Sequence, residues 1–178
     1  SLLGGFSAPE PLSQFTEAVV SPGVPLDEPF VQRLLAADVP VIGDIELFAR
    51  ELAASSGASR LPPPVIGITG SNGKSTVTTL VGEMARAAGL RVKVGGNLGT
   101  PALDLIEDGT QLYVLELSSF QLETTHTLAC TAAAFLNLSE DHLDRHGTMR
   151  AYGAAKARIF RNCPTAVVNR DDAAVMDL

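Results

Sequence analysis

Apolar and polar positions change period several times along this chain, and each change predicts an element. Residues 18–20 form a short apolar run stopped by the turn Ser21-Pro22-Gly23. Over 28–37, Phe30, Val31, Leu34 and Leu35 recur at the spacing of a helix buried on one side. Asp27 stands where it can cap that helix, and Pro29 is tolerated in its first turn. Residues 39–42 read as a strand, and Asp44 is placed to cap a second helix carrying Ile45, Leu47, Phe48 and Leu52. The pattern then breaks. Residues 55–64 read SSGASRLPPP, and three successive prolines are extended and stiff. A domain boundary is expected there, with 1–54 as one unit, 55–64 as linker and 65–178 as a second unit.

Past the break, apolar runs at 65–69, 91–94, 112–117, 132–136 and 166–168 predict strands. Between them, helices are expected over 75–88 (closed by Gly89), 100–106 and 148–161. Strands that alternate with helices imply an α/β fold with a mostly parallel sheet covered on both faces. No internal repeat is visible.

Composition sharpens this. The chain has 178 residues, 46% of them hydrophobic, which is enough for a substantial core and argues against disorder. Its net charge of −7 argues against nucleic acid as a partner, because such binders carry basic patches. A phosphorylated ligand remains open, since backbone N–H groups and one lysine suffice to hold it. The longest largely apolar run, 128–138, is too short to span a bilayer, so no membrane partner is expected. Cys130 and Cys163 stand in no metal-ligand spacing and are expected to be free buried thiols of a reducing cytoplasm. Asn137-Leu138-Ser139 matches a glycosylation sequon, which a cytoplasmic protein does not use.

Gly70-Ser71-Asn72-Gly73-Lys74-Ser75-Thr76 lies between a buried strand and a helix. Glycines let the backbone curl so that its N–H groups converge on an anion, and the helix N-terminus adds partial positive charge. In such a loop Lys74 reaches the outer phosphates and the Ser75 hydroxyl meets Mg2+. The general phosphate loop carries a glycine where Ile68 stands here, so the match is imperfect. Glu116 ends the apolar strand 112–117, and a carboxylate at the carboxyl end of a parallel strand points into the ligand crevice. Alone, it reads equally as a surface acid.

In the acidic stretch 137–146, His142 fits either a metal ligand or a solvated turn, and Glu140, Asp141 and Asp144 fit caps or surface charges. Lys156 falls in the middle of the apolar face formed by Met149, Tyr152, Ile159 and Phe160, opposite Arg150, Arg158 and Arg161. Two readings are open: a buried lysine with a partner or altered charge, or a stem that snorkels to water.

Together, ITGSNGKSTVTTLVGEMA from Ile68, VGGNLGTPAL from Val94, YVLELSSFQLE from Tyr113, LNLSEDHLDRH from Leu136 and AAKARIF from Ala154 resemble the Mur ligases, ATP-dependent amide-forming enzymes of peptidoglycan synthesis. Ser21-Pro22-Gly23 and the run GDIELF from Gly43 extend the likeness upstream. The run ELSSFQ from Glu116 is similar to the members that add D-glutamate to UDP-N-acetylmuramoyl-L-alanine.

The resemblance implies a phosphate-loop ATPase domain preceded by part of a Rossmann-like α/β domain that binds the uridine-sugar substrate. It implies that Gly70, Ser71, Asn72, Gly73, Lys74, Ser75 and Thr76 hold ATP, and that Ser75 and Glu116 bind a first Mg2+. His142 and Lys156, the latter as a carbamate, would serve a second Mg2+. Lys74, His142 and Lys156 would be catalytic, while Ser21, Pro22, Gly23, Asn97, Ser118 and Gln121 would contact the muramoyl-alanine substrate. A cytoplasmic monomer is implied.

The family's Gly-rich uridine-nucleotide site and its glutamate-binding domain have no counterpart between Ser1 and Leu178, so the sequence reads as a piece of a longer chain. Two alternatives stay open. One is a ligase like folylpolyglutamate synthase, which shares the phosphate loop and the lysine but not Ser118-Ser119-Phe120-Gln121. The other is a nucleotide-binding module without ligase activity.

Overall fold

The computed structural model describes residues 11–55 and 61–178. The proposed linker therefore lies partly outside the described residues, as do the first ten positions of the proposed first unit. Two parallel sheets organise the chain. In the smaller, β1 (Ala18–Val19) pairs with β2 (Val41–Ile42), and α1 (Pro29–Ala36) crosses between them. Leu12, Val31, Leu34, Val39 and Val41 form its core.

Two details differ from expectation. Glu28, not Asp27, precedes the first helical turn, and neither side chain caps it; Pro29 begins the helix with its fixed φ and its missing donor. Leu35 faces water, because the partner sheet has only two strands and covers a narrow stripe of the helix.

Next come α2 (Asp44–Ser55), β3 (Val65–Thr69), α3 (Lys74–Ala87), β4 (Val92–Gly96), β5 (Leu112–Glu116), α4 (Ser119–Glu123) and β6 (Ala132–Phe135). They are followed by α5 (Leu143–His146), α6 (Met149–Ala157), β7 (Ala166–Val168) and α7 (Ala173–Met176). The second sheet has the order β4-β5-β3-β6-β7, and every pair is parallel. The central strands are apolar up to their last residues, as strands covered on both faces tend to be: Tyr113, Val114, Leu115 and Ile68 are all buried.

Core packing does not follow the composition break at 55–64. Ile45, Phe48 and Leu52 of α2 share one core with Val65, Tyr113, Leu115, Leu117 and Leu122. The Phe48 and Tyr113 rings meet in a T-shaped arrangement, with centroids 5.3 Å apart. Charge reinforces that joint. Glu46 is fully buried on α2 and accepts hydrogen bonds from the backbone N–H groups of His126 and Thr127 and from the Thr127 hydroxyl. Among the described residues, the gap between cores thus falls between β2 and α2.

Further elements differ from the sequence pattern, among them the short helices α5 and α7, which it did not predict. The helix expected over 100–106 is a single 3-10 turn, Leu103–Leu105, held by buried Ala102 and Leu105. The helix expected over 148–161 stops at Ala157 and tightens into the 3-10 turn Arg158–Phe160. Arg158 is not on the solvent face. It donates to the carbonyls of Leu122 (2.6 Å) and Thr125 (3.0 Å), satisfying groups at and just past the end of α4. The unexpected α4 is closed by a capping box: Ser118 Oγ accepts from the Gln121 N–H, and Gln121 Oε1 accepts from the Ser118 N–H.

Cys130 and Cys163 are free. Cys130 is buried, which pushes its thiol up to about 12, whereas Cys163 is partly exposed. Among the described residues no helix is long and apolar enough to cross a membrane.

Candidate active site

The site lies at the carboxyl end of the larger sheet, where chain order reverses around β3. Its neighbours there are β5 on one side and β6 on the other. β3 ends at buried Thr69, whose hydroxyl donates to the Leu117 carbonyl at 2.7 Å and ties the ends of β3 and β5 together. Gly70 turns the chain tightly against β6: a Cβ there would lie 3.2 Å from the Leu136 Cβ. Gly73 sits in the left-handed region at φ 76°, directly before α3 begins at Lys74. The position filled by Ile68 instead of glycine is inside β3 and buried, so the curled loop starts later, at Gly70.

The loop is shaped from outside by 137–139, the run that matched a sequon. Asn137 clamps Asn72 in both directions, accepting from its N–H at 2.8 Å and donating to its carbonyl at 2.9 Å. The Ser71 N–H bonds the Asn137 carbonyl at 3.0 Å, and the Ser139 N–H bonds Ser71 Oγ at 3.0 Å. Asn72 Nδ2 donates to Ser139 Oγ at 3.0 Å. The loop geometry is therefore preset by protein contacts.

Glu116 is the buried carboxylate of the site. Its oxygens accept from Ser75 Oγ and from Asn97 Nδ2, each at 2.7 Å. Asn97 is held in turn by its N–H on the Glu116 carbonyl at 2.9 Å. Thus Ser75 on α3, Glu116 at the end of β5 and Asn97 just past β4 converge on one point. A buried carboxylate beside a hydroxyl is the hard-oxygen donor set that Mg2+ takes from proteins. Among the described residues no group of three or more His, Cys, Asp or Glu side chains is placed to hold a metal ion.

Two lysines face the loop. Lys74 Nζ donates to the Ser71 carbonyl at 3.0 Å. Lys156 is buried, not snorkelling, and donates to the Gly70 carbonyl at 2.8 Å. Its Nζ lies 4.6 Å from the Tyr152 ring centre. Burial, and then the Lys74 ammonium, hold its pKa down to about 7, while Asp141 and Glu116 pull the other way. The fold therefore favours the uncharged amine of Lys156 far more than water does.

His142 has a half-exposed side chain, takes φ 52° and starts α5, with its N–H on Asp141 Oδ1. Its ring centre lies 6.1 Å from that of Tyr152, so His142 and Lys156 both neighbour one tyrosine. Thr76 is exposed on the first turn of α3. Ser118 and Gln121 are engaged in the capping box, and Gln121 Nε2 also donates to Asp44 Oδ2 at 2.9 Å. The 21–23 turn belongs to the smaller unit and reaches α5 through Arg145.

Sequence reasoning took Tyr152 only as core. It also left out the clamp of Asn137 and Ser139, although Asn-x-Ser directly after a strand was its signal. Arg145 and His146 were likewise missed. His146 is packed between Phe120 and Tyr152 with Nε2 3.0 Å from Ser119 Oγ, and burial lowers its pKa.

Comparison with known proteins agrees with this geometry. A family model described as the Mur ligase middle domain matches residues 68–178. The UDP-N-acetylmuramoylalanine–D-glutamate ligase of Shewanella oneidensis is 53% identical over 172 residues, covering 97% of this chain and 38% of the relative. That of Vibrio cholerae serotype O1 is 59% identical over 154 residues, covering 86% and 33%. Among solved structures, UDP-N-acetylmuramoyl-L-alanyl-D-glutamate–2,6-diaminopimelate ligase matches with a TM-score of 0.60 at 28% identity, over 92% of this chain and 43% of that one. MurF ligase from Thermotoga maritima, solved in complex with ADP, matches with a TM-score of 0.58 at 19% identity over 93% and 46%, a likeness of fold. The chain spans between a third and two fifths of the length of these curated relatives. On the family match and the shared fold, this chain belongs to the Mur ligase family.

Proposed function

We propose that the chain supplies the nucleotide-binding centre of a cytoplasmic, monomeric ligase that joins D-glutamate to UDP-N-acetylmuramoyl-L-alanine at the expense of ATP. The observation that carries this reading is buried Glu116 held between Ser75 and Asn97, beside the loop that ends in Lys74. The identity to curated D-glutamate ligases, 53% and 59%, supports the choice of substrates.

The chemistry has two steps. The alanine carboxylate takes the γ-phosphoryl group of ATP, giving an acyl phosphate and ADP. The D-glutamate amine then attacks the acyl carbon, the C–O bond to phosphate breaks, and the amine proton leaves. The first step brings two anions together, so charge must be neutralised. The Ser71 and Asn72 N–H groups are taken by Asn137, so the N–H groups at the positive end of α3 would face the phosphates, and Lys74 adds a full charge. Ser75 and Glu116 hold one Mg2+, which supplies charge neutralisation and alignment when bound.

A second Mg2+ falls to His142 and Lys156. The neutral Lys156 amine attacks CO2, an N–C bond forms, and a proton is released; the resulting carbamate is a hard oxygen donor in place of a cation. Asn97, Ser118 and Gln121, with Ser21, Pro22 and Gly23, contact the uridine-sugar substrate in this reading. The capping box by which Gln121 also holds Ser118 would keep that segment in place.

The test is phosphate release by the intact enzyme that contains this chain. Release that requires ATP, D-glutamate and UDP-N-acetylmuramoyl-L-alanine together, and that Lys74→Ala removes, is the expected result. Release independent of D-glutamate, or unchanged in Lys74→Ala, would contradict it.

A further inference from the structure

Two parts of the proposed site come from opposite sides of the composition break: the 21–24 turn and the segment that begins at His142. Arg145 joins them. Its Nη2 donates to the Val24 carbonyl at 3.2 Å and to Glu123 Oε2 at 2.7 Å, and its guanidinium carbon lies 4.8 Å from the Phe120 ring centre. Val24 closes the turn, since its N–H bonds the Ser21 carbonyl at 2.9 Å. Arg145 therefore grips one end of a turn whose other end is Ser21.

The side chain hangs from a fixed point. The Arg145 N–H bonds the His142 carbonyl at 3.1 Å, within the short turn that presents His142. Glu123 is anchored as well, its second oxygen 3.5 Å from His146 Nδ1. The Arg145 and Glu123 side chains are 12% and 19% exposed, so water competes little for this pair. A pair serving only the α4–α5 junction needs nothing beyond Glu123. The additional charge-assisted bond to a main-chain carbonyl 121 residues away locates one loop against another. Nearby, the Gly43 N–H bonds the Thr124 carbonyl at 3.3 Å, and a Cβ at Gly43 would collide with the Thr124 hydroxyl. The smaller unit thus approaches the end of α4 closely, and Arg145 is the charged contact that sets the turn within that approach.

We propose that Arg145 is a positioning residue for the uridine-sugar substrate, holding the 21–24 turn in register with the segment that carries His142. This rests on the reading, given above, that the turn contacts that substrate. Displacing a substrate-holding element by an ångström is enough to cost one to two orders of magnitude. A residue acting in this way should show its effect in one substrate's KM.

The experiment uses the intact enzyme with Arg145→Gln and Arg145→Lys. For Arg145→Gln, the KM for UDP-N-acetylmuramoyl-L-alanine is expected to rise roughly tenfold. The KM for ATP and kcat should stay within about twofold. Arg145→Lys keeps the charge without the fork and is expected to fall between. Amide hydrogen exchange in 21–26 should quicken in Arg145→Gln while that of 70–76 is unchanged. Equal changes in both KM values, a fall in kcat alone, or unchanged exchange in 21–26 would overturn the proposal. If the wild type itself shows no D-glutamate-dependent turnover, the functional reading is what fails. Calorimetric binding of UDP then decides the role of Arg145: weaker binding in Arg145→Gln supports it, and equal binding overturns it.

Discussion

Lys156 donates to the main-chain carbonyl of Gly70 across 2.8 Å, from the middle of the face that helix α6 buries. This bond ties the phosphate loop to a helix 86 residues later through one amine. The amine is the unusual partner, because burial and Lys74 both disfavour its charged form.

A pH signature follows from that relationship. Lys156 titrates near 7 in the fold, against an ordinary lysine value of 10.5 in the unfolded chain. Between those values the unfolded chain binds the extra proton, so the wild type gains stability as pH rises through this window. Urea denaturation of wild type and Lys156→Met at pH 6, 8 and 9.5, in CO2-depleted buffer, is the check. The wild type should gain on the variant as pH rises, and a constant difference would contradict the assignment.

The proposed carbamate is tested separately in the intact enzyme. Lys156→Ala should be nearly inactive and partly restored by acetate, which fills the vacated carboxylate position. Lys156→Arg should stay inactive, because a guanidinium keeps its charge. Full activity of Lys156→Arg, or no response of Lys156→Ala to acetate, would remove the carbamate from the account.

Glu46 predicts an acid-sensitive joint. Its burial works to raise its pKa, but the N–H groups of Thr127 and His126, the Thr127 hydroxyl and Arg50 outweigh that, and the net shift is downward. Its contribution is therefore complete above the ordinary carboxylate range and is lost as pH falls through the lower folded value. Glu46→Ala leaves those donors without an acceptor and should cost about 3 kcal/mol at pH 7. The loss relative to wild type should shrink at low pH. Denaturation curves at pH 7 and pH 3 measure both.

Ser118→Ala removes the acceptor of the α4 capping box and should cost about 1 kcal/mol in denaturation midpoint experiments. A cost near zero would mean that Gln121 is held by Asp44 alone.

Features that broke a local pattern were legible in the sequence. The Gly-rich loop interrupts a strand–helix pair, Glu116 ends an apolar run, and Lys156 interrupts an apolar face. Each stands where the structure places a buried or loop-facing group. The parallel sheet was legible for the same reason, since its strands are apolar on both faces. Features that depend on distant partners were not. Nothing near Glu46 in the sequence marks it as buried, and its decisive donors are 80 and 81 residues away. Arg158 reads as solvent-facing on a helical wheel, yet the carbonyls it meets belong to another helix. The attachment of α2 to the larger sheet was hidden by the prolines after it, because composition marks a stiff segment and not which core the preceding helix joins. The capping box of α4 is local, Ser-x-x-Gln, and was masked by the apolar strand running straight into it.

The most direct test of the central claim, that Glu116 and Ser75 hold the metal that accompanies the nucleotide, is calorimetric ADP binding by the intact enzyme with and without Mg2+. Glu116→Gln keeps a side chain of the same size between Ser75 and Asn97 and is compared with wild type. Mg2+ should tighten binding in the wild type by roughly tenfold or more and leave Glu116→Gln unaffected, while metal-free affinity stays the same in both. An equal Mg2+ effect in the two proteins would contradict the account.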